Sequence, residues 1–240
     1  MKTSTRIALA ALAASWLVSA SLGYADEPKT SAPQKSAAPA DESSSQAYKP
    51  PLRGAPGGRV GGGTRGTPGS MFILSVLVPD HTGLTLKEQP SLFWFISGDT
   101  SLPVELTISD PNASEPLLET RMPGPVKRGI HRVRLADYGV RLVPGVAYQW
   151  SVSVIPDSAR RSRDIVGSGK IERIELSGDV QAKVAGVGKE DLATRYAEAG
   201  IWYDALEAVS DQIERSPGDN KSVGYRAALL RQVGLPEIAE

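Results

Sequence analysis

The chain has 240 residues, with 27 basic and 27 acidic side chains, a formal net charge of zero and no cysteine. Balanced charge argues against general nucleic-acid binding, which calls for a strongly basic face, and gives no long-range steering toward charged surfaces. The lack of cysteine excludes a disulfide framework, a thiolate metal site and a lipid-modified N-terminal cysteine.

Residues 1–25 read as a cleavable signal peptide. Lys2 and Arg6 give a positive start, Ile7 to Val18 form an apolar run, and Gly23-Tyr24-Ala25 puts small residues where a signal peptidase reads. The run is short for a membrane span, which needs about 20 apolar residues. Cleavage after Ala25 and a periplasmic or secreted destination are expected, with no stable membrane span in the mature chain. Residues 26–70 are expected to be a disordered linker, rich in Pro, Ser and Ala and then in Gly and Arg. So few large apolar residues cannot offset the entropy of ordering the chain.

Residues 71–178 read as a β-sandwich. Met71 to Val78 is apolar and β-branched. Leu92 to Ile96 (Leu-Phe-Trp-Phe-Ile) is apolar on both alternations and is expected to be a central strand covered on both faces. Val104, Leu106 and Ile108 alternate with polar residues, as do His131, Val133 and Leu135, and again Tyr148, Trp150, Val152 and Val154. This period of two marks strands with one face on a core. Pro and Gly punctuate them at Gln89-Pro90, Asp110-Pro111, Pro123-Gly124-Pro125, Pro144-Gly145 and Pro156-Asp157. Six or seven short strands in about 100 residues predict a mainly β, immunoglobulin- or fibronectin-like sandwich. Leu142 to Val152 resembles the corner before a late strand of fibronectin type III domains, with Tyr148 as the tyrosine that bonds backbone upstream.

Residues 179–240 switch to helical spacing. Leu192, Tyr196 and Ala199 share one face, and Gly200 ends that helix. Leu206, Val209 and Ile213 continue a second helix through Arg215. Ser216 to Asp219 turn, Asn220 caps, and Val223, Ala227, Leu230 and Val233 form a third. Leu192, Ala193, Tyr196, Gly200, Ala205 and Pro217 resemble a single tetratricopeptide unit. One copy is not a solenoid, so this segment is expected to cap the sandwich or dock another chain. The sandwich is expected to fold without it.

No catalytic, cofactor or metal constellation stands out. Gly61, Gly63 and Gly66 form a Gly-x-Gly-x-x-Gly with coil on both sides, where dinucleotide binding needs strand and helix. Gly186 to Lys189 lacks the first glycine of a phosphate loop and is followed by Glu190 rather than Ser or Thr. There is no Gly-x-Ser-x-Gly elbow. His131 falls on an inward alternation and reads as a core residue; His81 lies in a turn with too few neighbouring ligands for a metal. The candidate partner-binding residues are Asp80, His81 and Thr82 in that turn, Arg160, Arg161 and Arg163 in a basic loop, and Trp202 and Tyr203 at a helix start. Gly83 fits a turn that needs positive φ.

Three stretches in combination resemble the domain of unknown function 928 family of exported bacterial proteins. They are Gly54 to Arg65, Leu77 to Leu86 (Leu-Val-Pro-Asp-His-Thr-Gly-Leu-Thr-Leu) and Pro90 to Phe95 (Pro-Ser-Leu-Phe-Trp-Phe). Gly145 to Trp150, Arg161 to Asp164 and Gly169 to Ile174 are similar to its pattern as well. The resemblance implies a β-rich domain behind a Gly-Arg lead-in, and no catalytic residues. The expected function is therefore non-catalytic binding or scaffolding of a cell-envelope protein, with no cofactor and no nucleic acid. The alternatives are a glycan-binding module using an outward Trp94 or Trp150, or a hydrolase with an unmarked carboxylate site.

Overall fold

A computed structural model describes residues 48–51, 59–63 and 73–238. The signal peptide and most of the linker lie outside the described residues. The strands are β1 (Gly62–Gly63), β2 (Ile73–Val76), β3 (Gly83–Thr85), β4 (Ser91–Ile96), β5 (Val104–Ser109), β6 (Leu118–Arg121), β7 (Gly129–Arg134), β8 (Ala147–Val154) and β9 (Ile165–Arg173). They form a four-stranded sheet in the order β1-β2-β4-β7 and a five-stranded sheet in the order β3-β9-β8-β5-β6. All pairings are antiparallel except β3 with β9. The chain thus leaves β2 in one sheet and enters β3 at the edge of the other, an arrangement of immunoglobulin type. The expectation of a mainly β sandwich with a small helical segment holds.

Alternation places Leu74, Val76, Leu92, Trp94, Ile96, Leu106, Ile108, Trp150, Val152 and Val154 between the sheets, all buried. Tyr148 behaves as the corner predicts: its hydroxyl accepts from the Val143 amide at 3.2 Å. His131 stacks on Trp94 with centroids 4.5 Å apart, and its Nε2–H donates to the Lys127 carbonyl.

The helices are α1 (Gly178–Val184), α2 (Leu192–Glu198), α3 (Trp202–Arg215) and α4 (Asn220–Gln232). α1 was not legible in the spacing of apolar residues, although Ser177 caps it through Val180. Asp219, one residue before the expected Asn220, caps α4 by accepting from the Lys221 amide. Gly200 ends α2 with φ +77°. α3 lies against β3 and β4, so β4 is covered on both faces as its sequence predicts. Sheets and helices belong to one compact unit. No described helix is long and apolar enough to cross a membrane.

Two short stretches of the segment read as linker make defined contacts among the described residues. Tyr48 is buried with its edge toward Trp202, 5.0 Å between centroids. Its amide donates to Gln232 Oε1, and the Lys49 amide donates to the Ala197 carbonyl. Further on, Val60 pairs with Ser168 on β9, and Arg59 Nη1 reaches the carbonyls of Val78 and Val233. Backbone hydrogen bonds and one large aromatic order these short stretches where composition alone predicts coil.

Candidate binding surface at the seam between sheets and helices

The first turn of α3 closes the gap left where the chain crosses from β2 to β3. Trp202 and Tyr203 are both fully buried. Trp202 Nε1 donates to the Leu77 carbonyl at 2.9 Å. Trp150 Nε1 donates to the Tyr203 hydroxyl at 2.8 Å, and that hydroxyl donates to the Lys170 carbonyl at 3.0 Å. Burial pushes the Tyr203 phenol up. Buried in this way, the pair fills the gap between cap and sandwich rather than standing exposed as an anchor.

Gly83 is explained by the same wedge. Its backbone is extended at the start of β3, so positive φ is not its reason. A Cβ there would meet the Tyr203 ring at 2.7 Å, so only glycine lets strand and ring approach this closely. Two residues on, Thr85 Oγ1 donates to Asp204 Oδ2 at 2.6 Å and the Leu86 amide donates to the same oxygen at 3.2 Å. Asp204 is 1% exposed, and its Oδ1 is buried without a hydrogen-bond partner. Burial pushes its carboxyl up to about 6, against the hydrogen bond from Thr85.

A second polar joint lies between β7 and α3. Arg132 sits over the Phe93 ring and bonds to Glu207 (2.8 Å), Asp211 and Glu214. Lys87 Nζ reaches the other Glu207 oxygen at 3.0 Å. Burial alone would lower the Arg132 pKa; the hydrogen bond from Asp211 and the nearby carboxylates outweigh it and raise it. These acids recur at helical spacing on α3 (207, 211, 214), so one face of the helix meets one arginine. The sequence reading missed this joint because an acidic stripe on a helix usually faces solvent.

The remaining candidates separate into two places. Asp80, His81 and Thr82 lie at the seam. His81 Nε2 and the Tyr48 hydroxyl are 2.8 Å apart with the rings stacked, and Asp80 pairs with Arg59 at 3.3 Å. Burial lowers the His81 pKa, opposed by the charge of Asp80. Tyr48, Asp80 and His81, with Pro50, Pro79 and the end of α4, line a cleft of about 360 Å³; Thr82 does not line it. The arginine loop is at the other end of β9, before Ile165. Arg160 is bound to Asp157 (2.7 Å), and Arg161 to Glu105 (2.7 Å) and Asp164 (2.6 Å). Of the three, only Arg163 forms no ion pair among the described residues. The loop's charge is largely spent on Asp157 and Asp164 of its own hairpin and on Glu105 of β5.

Fold and seam together define a class: an immunoglobulin-type sandwich closed by a helical cap, with a buried aspartate and a buried arginine–glutamate pair at the joint. The chain belongs to the Domain of Unknown Function (DUF928) family, whose pattern matches residues 60–240. No curated protein matches it. The match takes in the seam and the cap, and leaves the docked Tyr48–Pro51 segment outside.

Proposed function

We propose that the protein is a non-catalytic binding or scaffold module of the periplasm, and that its helical cap presents the recognition surface to an envelope protein. The periplasmic destination rests on residues 1–25. The observation that carries the binding role is the placement of the clefts. One of about 210 Å³ lies among α2, α3 and α4, one of about 280 Å³ between α2 and α3, and one of about 420 Å³ between β4, β7 and the last two helices. The His81 cleft opens at the end of α4. Concave surface of this kind is where ligands and partner side chains seat.

Strand addition at the sheet edge is the other available mode. The β6 edge carries exposed Glu119 and Arg121, charges that discourage a further strand. Trp94 and Trp150 are fully buried, which removes the stacking platforms that a sandwich-borne glycan site would need. A two-carboxylate hydrolase needs a second acid free to act. Beside Asp204, the acids Glu207 and Asp211 are engaged by Arg132.

The test is capture from an envelope extract with the full mature chain, an α4 surface variant (Lys221→Glu with Val223→Asp) and a sandwich-edge control, Glu119→Lys. A defined protein held by the native chain and the control, and lost with the α4 variant, supports the reading. Capture that ignores the α4 variant, or no defined partner, overturns it.

A further inference from the structure

The cleft between α2 and α3 has a polarity along its length. At one end stands Asp204, nine-tenths or more buried, with Oδ2 taken by Thr85 and Leu86 and Oδ1 unpartnered. A buried acceptor left unpaired is destabilising, so a ligand that brings a donor there is favoured. At the other end are Arg215 and Lys189, two exposed cations with no ion pair among the described residues. Gln212 Nε2 donates to the Lys189 carbonyl at 2.8 Å, which fixes Lys189 beside the last turn of α3. Between the two ends run Tyr196, Leu192 and Ala208. The other charged groups lining the cleft are occupied, Lys87 by Glu207 and Asp211 by Arg132.

The ligand must therefore carry an anion at one end, a hydrogen-bond donor at the other and an apolar face between. Asp204 and Arg215 are eleven residues apart on α3, about 16 Å of helix axis at about 1.5 Å per residue. The arginine side chain leans back toward the helix N-terminus and shortens the gap. An amino acid, with ammonium and carboxylate on one carbon, is still too short to satisfy both ends. A carboxylated ring bearing hydroxyls is long enough. We propose that this cleft binds an acidic saccharide: its carboxylate held by Lys189 and Arg215, a ring hydroxyl donating to Asp204 Oδ1, and a C–H face on Tyr196. This goes beyond the protein-partner reading and rests only on its premise that the cap is a recognition surface.

The experiment is calorimetric titration of the full chain with glucuronic acid and with a galacturonate trimer, using glucose and alanine as comparators. Saturable binding of the acids and none of glucose or alanine is expected. Lys189→Gln and Arg215→Gln should each weaken binding about tenfold or more, the loss expected for one charge-assisted hydrogen bond. Asp204→Asn should weaken it further. Should that variant misfold, the two exposed rim variants still decide. No saturable binding of either acid, equal binding of glucose, preference for alanine, or rim variants of native affinity would each overturn the proposal. Envelope-protein capture by Lys189→Gln is the separating measurement. If capture persists while the sugar titrations are blank, the cleft assignment falls and the scaffold reading stands.

Discussion

The space between the two sheets and the seam beneath the cap are both buried, yet they are built from different chemistry. Between the sheets lie aliphatic side chains and two tryptophans, with His131 as the polar exception. At the seam lie Thr85–Asp204, Arg132 with its three acids, and the indole and phenol hydrogen bonds of Trp202 and Tyr203. Apolar burial is non-directional, so the sandwich interior favours closure of the sheets without strongly favouring one arrangement. Hydrogen bonds and ion pairs are directional. The seam therefore sets where α3 sits on the sheets, and with it the shape of every cleft on the cap.

If the seam is a structural joint, cutting it should cost as much as emptying the core. Tyr203→Ala removes a fully buried ring and leaves Trp150 Nε1 and the Lys170 carbonyl without their partner. A loss of about 3–5 kcal/mol is expected, read as a fall in the urea midpoint. A chain ending at residue 178 loses Trp202 as well and should lack native near-ultraviolet dichroism. A native spectrum from residues 71–178 would instead show that the sandwich stands without its cap, as its sequence suggests.

The arginine joint comes next. Arg132→Met removes the guanidinium from over Phe93 and leaves the buried Glu207 carboxylate with Lys87 alone, beside Asp211 and Glu214. About 3 kcal/mol of stability should be lost, because removing one partner of a buried pair leaves a buried charge only partly compensated, here by the half-exposed Lys87. Adding Glu207→Gln should restore part of it, and a double-mutant cycle measures the coupling. Strict additivity would mean that the pair does not hold the helix.

Asp204 gives the seam a pH dependence. Its folded pKa of about 6 lies above the ordinary aspartate value, so the folded state holds the proton more tightly. The sign follows: this group's contribution is fully present below about pH 4 and is lost as pH rises to about 6. The size is about 3 kcal/mol, from about two pH units at about 1.4 kcal/mol each. Asp204→Asn should remove that fall from a stability profile recorded between pH 4 and 7. Identical profiles for the two chains would show that the carboxyl titrates normally.

The sandwich was legible in the sequence because its interior obeys one rule, alternation, that each strand states for itself. Leu92 to Ile96 even announced a second covered face, which α3 supplies. The seam was not legible because its contacts join residues far apart in the chain, from 33 to 125 positions, or reverse a local expectation. Trp202 and Tyr203 could anchor a partner, though such aromatics more often fill a gap between helices. Gly83 looks like a turn glycine until the Tyr203 ring is seen against it. The stripe on α3 looks solvated until Arg132 arrives from β7. The family resemblance ran through Leu77 to Leu86 without saying why; the Leu77 carbonyl, Gly83, Thr85 and Leu86 all meet α3.

The smallest effect belongs to the sandwich alone and calibrates the rest. Tyr148→Phe deletes one hydroxyl, whose partner is the Val143 amide at 3.2 Å, and leaves the ring's packing intact. Val143 is exposed, so water can replace the lost acceptor. A loss of about 1 kcal/mol or less is expected, with the urea m-value unchanged. Because no hydrogen bond of this corner reaches the cap among the described residues, its effect should add to that of Arg132→Met within about 0.5 kcal/mol. A larger coupling would mean that the corner and the seam respond as one element, and that the contrast between a tolerant interior and a directional joint is drawn in the wrong place.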